Sequence, residues 1–257
     1  MTAAERQESP RLAPATVKQG QPVNIILVTE DSTSEADYIP FLKNLYGDDS
    51  NIEVISEKYH GPLDATRIAE LREADLVIVS RKTYSVDYCD RSDVSAWNGL
   101  TTPLILHNPY LAVSSEPWAR WGWFKNAMKE EAPWDFTHVA VVEAKDPIFD
   151  GVVIAKDQVK VYDPPVDGID VIDCSSTGNG TLIARPAGAG SNYVMIARWA
   201  AGTKFYEGSE QTAGGPRIAF FMLKNDKIIA EVSMPKLTAD GKKMLENALT
   251  SLLAGPN

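Results

Sequence analysis

Three polar side chains stand together just after an apolar run in the first half of the chain. Residues 103–106 are followed by His107, Asn108 and Tyr110. An imidazole can exchange a proton, and an amide or a phenol can hydrogen-bond a polar ligand. The plainer interpretation is that His107 and Asn108 hydrogen-bond loop backbone and that Pro109 shapes the turn, because Asn-Pro is a common turn signal.

Charged side chains follow two other apolar runs in the same way. Glu30 and Asp31 come after residues 23–28, and Arg81 follows residues 75–80. This mixture of charges could bind a polar small molecule or neutralise itself. No glycine-rich loop follows the first run, where carboxylates would repel a phosphate, so nucleotide binding of the Rossmann or P-loop kind is disfavoured. No cofactor is expected.

The two cysteines are poor candidates for catalysis or metal binding. Cys89 stands between Asp87 and Asp90, and neighbouring carboxylates raise the pKa of a thiol, which makes it a weak nucleophile. Cys174 lies in a β-like segment and is expected to be packed. Neither cysteine has CxxC or Cys/His spacing, so no disulfide scaffold or local zinc motif is expected. This low cysteine content is most consistent with a protein that works in a reducing compartment.

The elements that must position these side chains alternate along the first half of the chain. Short runs of β-branched and aliphatic residues are typical of strands buried on both faces, and amphipathic segments between them are typical of helices. Such alternation predicts an α/β fold, flavodoxin-like and doubly wound, in which ligands bind outside the carboxyl edge of a mainly parallel sheet. The predicted strands are 23–28, 52–55, 75–80 and 103–107, and the predicted helices are 35–46, 64–74 and 90–100.

The C-terminal half has a different pattern. Short β-like segments alternate with Gly and Pro and predict a mainly antiparallel extension of the sheet or a small adjoining sheet. Arg217, at the start of the last of them, is expected to form an ion pair at the surface or within the structure. A final helix is predicted to begin at an N-cap on Thr238. The predicted strands are 139–142, 159–162, 181–184, 193–197 and 218–221.

The tryptophans are the most unusual feature of the composition. Trp118, Trp121 and Trp123 crowd one stretch of the chain. They could line a groove for sugar rings or a peptide, fill the core, or lie in the interface of a homo-oligomer. Packing within or between chains is the preferred interpretation, because acidic soluble proteins seldom leave three large aromatic rings exposed together.

Length and charge narrow the classes of function. The 257 residues carry a formal net charge of −10, which disfavours binding to nucleic acid or to anionic membranes. No apolar run approaches the ~20 residues needed to cross a bilayer, and the first residues lack a signal-peptide core, so a cytoplasmic location is expected. Residues 1–21 are predicted to be a mobile tail, and residues 22–257 a single domain.

Three short segments, taken with the order of elements, point to a known superfamily. They are residues 146–152 (DPIFDGV), 215–221 (GPRIAFF) and 237–241 (LTADG). Between about residues 22 and 254 the chain resembles the class I glutamine amidotransferase-like superfamily. It is most similar to a catalytically silent branch that includes trehalose-utilisation-protein-like domains. The branch has His-Pro-Ile where this chain has Asp146-Pro147-Ile148.

The resemblance also implies which catalytic residues are missing. Active members carry a cysteine within G-x-C-x-G after the fourth strand, where this chain reads LHNPY at 106–110. A glycine pair that forms the oxyanion hole is replaced by Ser-Arg-Lys at 80–82, and a His-x-Glu motif by FFML at 220–223. Without nucleophile, base and glycine pair, amidotransfer by that mechanism is not expected.

Two classes of function follow from the sequence. The first is a non-catalytic domain that binds a small polar or carbohydrate-related ligand, or a protein partner, at the carboxyl edge of the sheet. The second is a hydrolase or transferase for a carbohydrate-related molecule that uses residues outside the family pattern, such as Glu30, Asp31 and His107. A purely structural role in an oligomer is a third possibility.

Overall fold

The fold is built on a nine-stranded sheet with helices on both faces. The computed structural model describes residues 22–30, 38–55, 58–89, 91–114, 120–131, 135–166, 169–223 and 236–254. The N-terminal tail, Asp31, Trp118 and Trp134 lie outside these residues. The helices are α1 (Tyr38–Tyr46), α2 (Ala65–Glu73), α3 (Arg91–Asn98), α4 (Pro109–Ala112) and α5 (Ala239–Leu253).

Twelve strands are present among these residues. The first four are β1 (Asn24–Val28), β2 (Asn51–Ile55), β3 (Leu76–Val79) and β4 (Leu104–Leu106). They are followed by β5 (Met128–Glu131), β6 (His138–Val141), β7 (Gln158–Lys160), β8 (Asp170–Asp173), β9 (Thr181–Pro186), β10 (Tyr193–Val194), β11 (Ile196–Trp199) and β12 (Arg217–Phe220).

The strand order confirms the predicted fold class. The large sheet has the order β2-β1-β3-β4-β12-β11-β9-β6-β7. The strands from β2 to β12 in this order pair in parallel, and the remaining four are antiparallel. The first four strands therefore follow the flavodoxin-like order, and an antiparallel extension completes the sheet. A second sheet of three strands has the order β10-β8-β5.

Side chains of the parallel strands alternate between two cores. In β1, Ile25 and Leu27 pack on one face of the sheet together with α1 and α5, whereas Ile26 and Val28 pack on the other face with α2 and α3. The aliphatic runs are continuous in sequence because both faces are covered. The side chains keep alternating between the two faces just beyond the strand ends, so this alternation determines on which face of the sheet each site residue lies.

One prediction for the C-terminal half is wrong in detail. Residues 193–197 do not form one strand: β10 pairs with β8 in the small sheet, and β11 pairs with β9 and β12 in the large one, with Met195 between them. The strand β12 is parallel to β4 on one side and antiparallel only to β11 on the other. Strands β5 and β8 had not been predicted.

Trp121 and Trp123 belong to the core of a single chain. Both rings are fully buried, and they join Trp97 and Trp199 in one aromatic cluster. The Trp97 and Trp121 rings stack with centroids 5.2 Å apart, and Trp123 stacks on Phe205 at 5.3 Å. For these two tryptophans the structure supports packing within the chain over an exposed platform.

Arg217 forms no ion pair with any described residue, so the expected pair is not found among them. It is fully buried at the start of β12, and its hydrogen bonds go to backbone carbonyl oxygens, including those of Thr102 (2.9 Å), Asn98 (3.1 Å) and Leu100. Two of these carbonyls lie at or just beyond the end of α3, where the helix dipole favours a cation. Burial lowers the pKa of Arg217 to about 9. The guanidinium thus joins the end of a helix to the sheet.

Two helices begin at a side-chain cap, one of them at the predicted Thr238. Asp64 accepts a hydrogen bond from the Arg67 backbone at the start of α2, and Thr238 accepts one from Gly241 at the start of α5. The inner face of α5 is buried against the sheet from Met244 to Leu252. No helix in the described part of the chain is long and apolar enough to span a membrane.

Candidate functional site

Hydrogen bonds hold together the loops that follow β1, β3 and β4. The Glu30 backbone donates to the Lys82 carbonyl (3.0 Å), and the Tyr84 backbone donates to the Glu30 carboxylate (3.3 Å). Asn108 donates to both the carbonyl and the hydroxyl of Thr83, at 2.7 and 2.9 Å. The carboxyl edge of the sheet is therefore one connected surface, as the parallel topology predicts.

His107 lies inside this edge and is fully buried. Its Nδ1 is 2.8 Å from the Phe220 carbonyl, and its Nε2 is 2.9 Å from the Tyr38 hydroxyl. Because a carbonyl only accepts, Nδ1 carries the proton and Nε2 accepts from the phenol. Burial lowers the pKa of His107 to about 4, so the ring is neutral at pH 7. The imidazole connects α1, β4 and β12 and is closed off from solvent.

Asn108 is also buried, and it organises the loop. Besides its bonds to Thr83, its side-chain oxygen accepts from the Tyr110 backbone (3.0 Å) and caps α4. Pro109 occupies the first position of this short helix, where its missing N–H costs nothing. These contacts place the Tyr110 ring at the surface, where it is 37% exposed.

Two cations and one carboxylate surround Tyr110. Arg81, on the loop after β3, pairs through Nη2 with Asp170, and Lys129 Nζ lies 2.8 Å from the other oxygen of the same carboxylate. The guanidinium carbon of Arg81 and the Nζ of Lys129 lie 5.4 and 5.0 Å from the centroid of the Tyr110 ring. Both distances are within the range of cation–π contacts. We call Arg81, Tyr110, Lys129 and Asp170 the cationic cluster.

Charge and burial shift the pKa values within the cationic cluster. Burial alone would raise the pKa of Asp170, but Arg81 and Lys129 outweigh it and hold that pKa below its ordinary value. Burial alone would lower the pKa of Lys129, but hydrogen bonds with Asp170 and Tyr110 raise it. The charges of Asp170 and Lys129 are therefore both present at pH 7.

Glu30 belongs to a second group at the same edge. Its carboxylate accepts from the Tyr88 hydroxyl at 2.8 Å, and its other oxygen lies 2.8 Å from Nε2 of His60. The Glu30 side chain is 7% exposed and that of His60 28% exposed. A carboxylate that holds one nitrogen of an imidazole fixes its orientation and leaves the other nitrogen for chemistry. We call Glu30, His60 and Tyr88 the histidine–glutamate group.

The predicted site residues thus divide into three sets. Arg81 and Tyr110 are brought together, Glu30 lies in the neighbouring group, and His107 and Asn108 are buried supports of the loops. Asp31 lies outside the described residues. Sequence reasoning missed Lys129 on β5, Asp170 on β8 and His60 in the loop before α2, because these segments lie away from the predicted edge residues. It also missed Tyr88, at the end of a 3-10 helix that follows β3.

Both cysteine thiols donate to backbone carbonyl oxygens, that of Cys89 to Val86 at 3.3 Å. The Cys174 thiol donates to the carbonyls of Ser176 (3.0 Å) and Lys125 (3.4 Å), and burial raises its pKa. Cys174 is only half-buried, because it lines an open groove of about 710 Å³ that also contains Asn126 and Tyr206. Among the described residues, no group of three His, Cys, Asp or Glu side chains could hold a metal ion.

The segment that resembles the superfamily's His-Pro-Ile motif has a structural role here. Asp146 caps a short 3-10 helix (Pro147–Phe149) and forms an ion pair with Arg198 at 2.6 Å. Asn247 of α5 donates to the carbonyls of Ile148 and Asp150 at 3.1 and 2.8 Å. Aspartate in place of histidine therefore attaches β11 to this turn, and Asn247 attaches the terminal helix to it.

Comparison with known proteins finds relatives by structure only. No protein-family profile matches the chain, and no curated protein matches its sequence. A ThuA-like protein from Bacteroides uniformis aligns with 97% of this chain over 94% of its own length, at 10% identity and a TM-score of 0.55. A ThuA-like protein from Parabacteroides merdae aligns with 90% of each chain at the same identity and TM-score.

A glutamine amidotransferase from Thermotoga maritima aligns with 78% of this chain and 75% of its own, at 10% identity and a TM-score of 0.41. At 10% identity, the likeness to the two ThuA-like proteins concerns the fold. The resemblance that the motifs indicated is confirmed at that level: the chain shares the fold of the two ThuA-like proteins.

Proposed function

We propose that the chain is a non-catalytic amidotransferase-like domain that binds a small polar or carbohydrate-related molecule at the carboxyl edge of its sheet. The observation that carries the proposal is the cationic cluster. It places an exposed aromatic ring beside polar groups at the edge where open α/β sheets bind ligands. A protein partner at the same edge is the alternative occupant.

The residues that directly follow β4 support a non-catalytic role. Active members of the superfamily carry their nucleophile there, whereas in this chain Asn108 and Pro109 begin a short helix. The neighbouring imidazole of His107 uses both nitrogens in buried hydrogen bonds, so neither is available as a base. The Cys174 thiol has a raised pKa and carbonyl partners, which disfavour the thiolate.

A binding screen with a matched pair of tyrosine variants tests the proposal. Monosaccharides, sugar acids and amino acids are screened by thermal shift, and ligands that stabilise the protein are titrated by calorimetry. Tyr110→Ala is expected to weaken binding roughly tenfold through lost ring contacts. Tyr84→Ala is the control, because Tyr84 is an exposed tyrosine of the same edge outside the cluster. Equal affinities in the two variants would place the ligand elsewhere.

The histidine–glutamate group favours a second candidate function, hydrolysis or group transfer. Glu30 accepts from Nε2 of His60, so Nδ1 of the neutral ring carries the free electron pair. No described residue hydrogen-bonds this nitrogen, and the side chain is partly exposed. A carboxylate-oriented imidazole of this kind is suited to act as a general base.

Activity toward a simple activated ester separates the two candidates. If the second is correct, the protein hydrolyses 4-nitrophenyl acetate above the buffer rate, and His60→Gln lowers that rate at least about a hundredfold. His138→Gln is the control, because His138 is also half-buried and the one hydrogen bond of its ring to a described residue is with a threonine hydroxyl. A rate that is the same in all three proteins leaves binding as the function.

A further inference from the structure

Within the cationic cluster, the positive charges outnumber the negative charges. Arg81 and Lys129 share the single carboxylate of Asp170, so two positive charges face one negative charge. Glu131 lies opposite Asp170 in the strand register but forms no ion pair with either cation. The cluster therefore keeps a surplus of one positive charge, in a chain whose net charge is −10.

Other buried arginines of the chain do not carry such a surplus toward solvent. Of the described carboxylates, Arg198 is paired with Asp146 alone, and Arg217 donates to several backbone carbonyl oxygens. The Nε atoms of both are sealed from solvent without a partner. These two guanidinium groups therefore have structural roles that need no ligand.

Arg81 differs in that none of its donors is both sealed from solvent and without a partner. The side chain is only 8% exposed, and its one hydrogen bond to a described residue runs from Nη2 to Asp170. The guanidinium is therefore held in place by Asp170 and Tyr110, while its remaining donors are open to a molecule that approaches the edge.

Tyr110 lets the two cations stay close together. Its ring lies about 5 Å from both charged groups, and the negative face of an aromatic ring reduces the repulsion between them. The hydrogen bonds of Asn108 fix the start of α4 and with it the position of the ring. The cluster is therefore preorganised, which lowers the cost of binding a partner for its free charge.

We propose that the cationic cluster recognises a carboxylate group of the bound molecule, with the open donors of Arg81 and the ammonium group of Lys129 as its ligands. The inference rests on the proposed binding function and assigns a chemical class to the ligand. A guanidinium fork matches the two oxygens of a carboxylate. One surplus positive charge balances a monoanion, and the acidic surface disfavours the more highly charged phosphate.

Three small probes of matched size test this assignment on the full chain. Acetate carries the carboxylate alone, acetamide has the same shape without the charge, and inorganic phosphate is the competing anion. Each is titrated at constant ionic strength, with chemical shifts and melting temperature as readouts. Acetate is expected to bind saturably, at least about tenfold tighter than acetamide and tighter than phosphate.

Two variants locate the effect. Arg81→Gln and Lys129→Gln should each weaken acetate binding about tenfold or more, because each removes one charge-assisted contact. Arg72→Gln, on the exposed face of α2, should leave it unchanged. Affinity is measured on protein that is folded at the temperature of titration, so a lower stability of the Arg81 variant does not obscure the result.

The results that would overturn the inference are distinct from those that would overturn the proposed function. Acetate that does not saturate, acetamide that binds as well as acetate, or phosphate that binds more tightly would each refute carboxylate recognition. A neutral sugar whose binding is weakened by Tyr110→Ala would still support the proposed function. Acetate binding that survives both Arg81→Gln and Lys129→Gln would move the anion away from the cluster.

Discussion

His107 hydrogen-bonds to two elements that lie far from it in the sequence, and the bond that its Nε2 accepts from Tyr38 requires the neutral imidazole. Protonation of Nε2 would turn an acceptor for the Tyr38 hydroxyl into a donor and place a charge in the core. Burial lowers the pKa of His107 from 6.5 to about 4. The stability contributed by this lowered pKa is complete above pH 6.5 and is lost as the pH falls toward 4.

We therefore expect the free energy of unfolding to fall by about 3 kcal/mol between pH 7 and pH 4 through His107 alone. Urea denaturation across this range measures the fall. His107→Gln cannot be protonated there, so the stability gap between wild type and this variant should shrink as the pH decreases. Parallel pH profiles for the two proteins would show that His107 does not cause the loss.

At the scale of elements, the short helix α4 depends on one amide. Asn108 caps the helix through its oxygen and joins the loop after β3 through its nitrogen. We expect Asn108→Ala to lower the free energy of unfolding by about 2 kcal/mol or more, because the cap and two buried bonds are lost together. Thermal or urea denaturation of the purified variant provides the measurement.

Asn108→Asp separates the two roles of this side chain. The carboxylate still accepts from the Tyr110 backbone and can cap the helix, but it cannot donate to Thr83. We expect this variant to lose the connection between loops and to reduce ligand affinity at the neighbouring cationic cluster. If Asn108→Asp is as stable as wild type and binds as well, the bonds to Thr83 are not important for the site.

The parallel strands could be predicted from the sequence because burial on both faces leaves a clear aliphatic run. Strand β5 leaves no such signal: Met128, Glu130 and Glu131 are exposed, and only its pairing with β8 makes it a strand. Lys129 and Asp170 lie on these two strands, so half of the cationic cluster was hidden from sequence reasoning. The position of Arg81 at the edge could be predicted, but its partners could not.

The environment of a buried polar residue is likewise hard to predict from the sequence. A histidine and an arginine such as His107 and Arg217 have the types expected of functional groups. Whether each is buried depends on the alternation of strand residues and on contacts with distant segments, including Tyr38 and Leu100. The sequence placed His107 correctly at the end of β4, but which partners would enclose it depended on the tertiary structure.

At the scale of the whole molecule, the tail is predicted to add little stability. Residues 1–20 have no periodic apolar face to bury. Their deletion is expected to change the melting temperature by no more than about one or two degrees, since almost no apolar area would be re-exposed. Calorimetry of the full-length and shortened proteins measures the change in melting temperature. Their masses in solution test whether the protein forms a homo-oligomer. A larger loss would indicate that the tail packs on the domain or on a second copy.

The buried tryptophans also have an optical consequence. The rings of Trp97, Trp121, Trp123 and Trp199 form a chain with neighbouring centroids 5.2 to 6.1 Å apart. At such separations, excitation absorbed by one indole passes to the next before it is emitted. Emission from the cluster should therefore be depolarised even in rigid solution, and the coupled transitions should give a strong near-ultraviolet circular dichroism signal. Loss of that signal would report the opening of this core directly, without any added label.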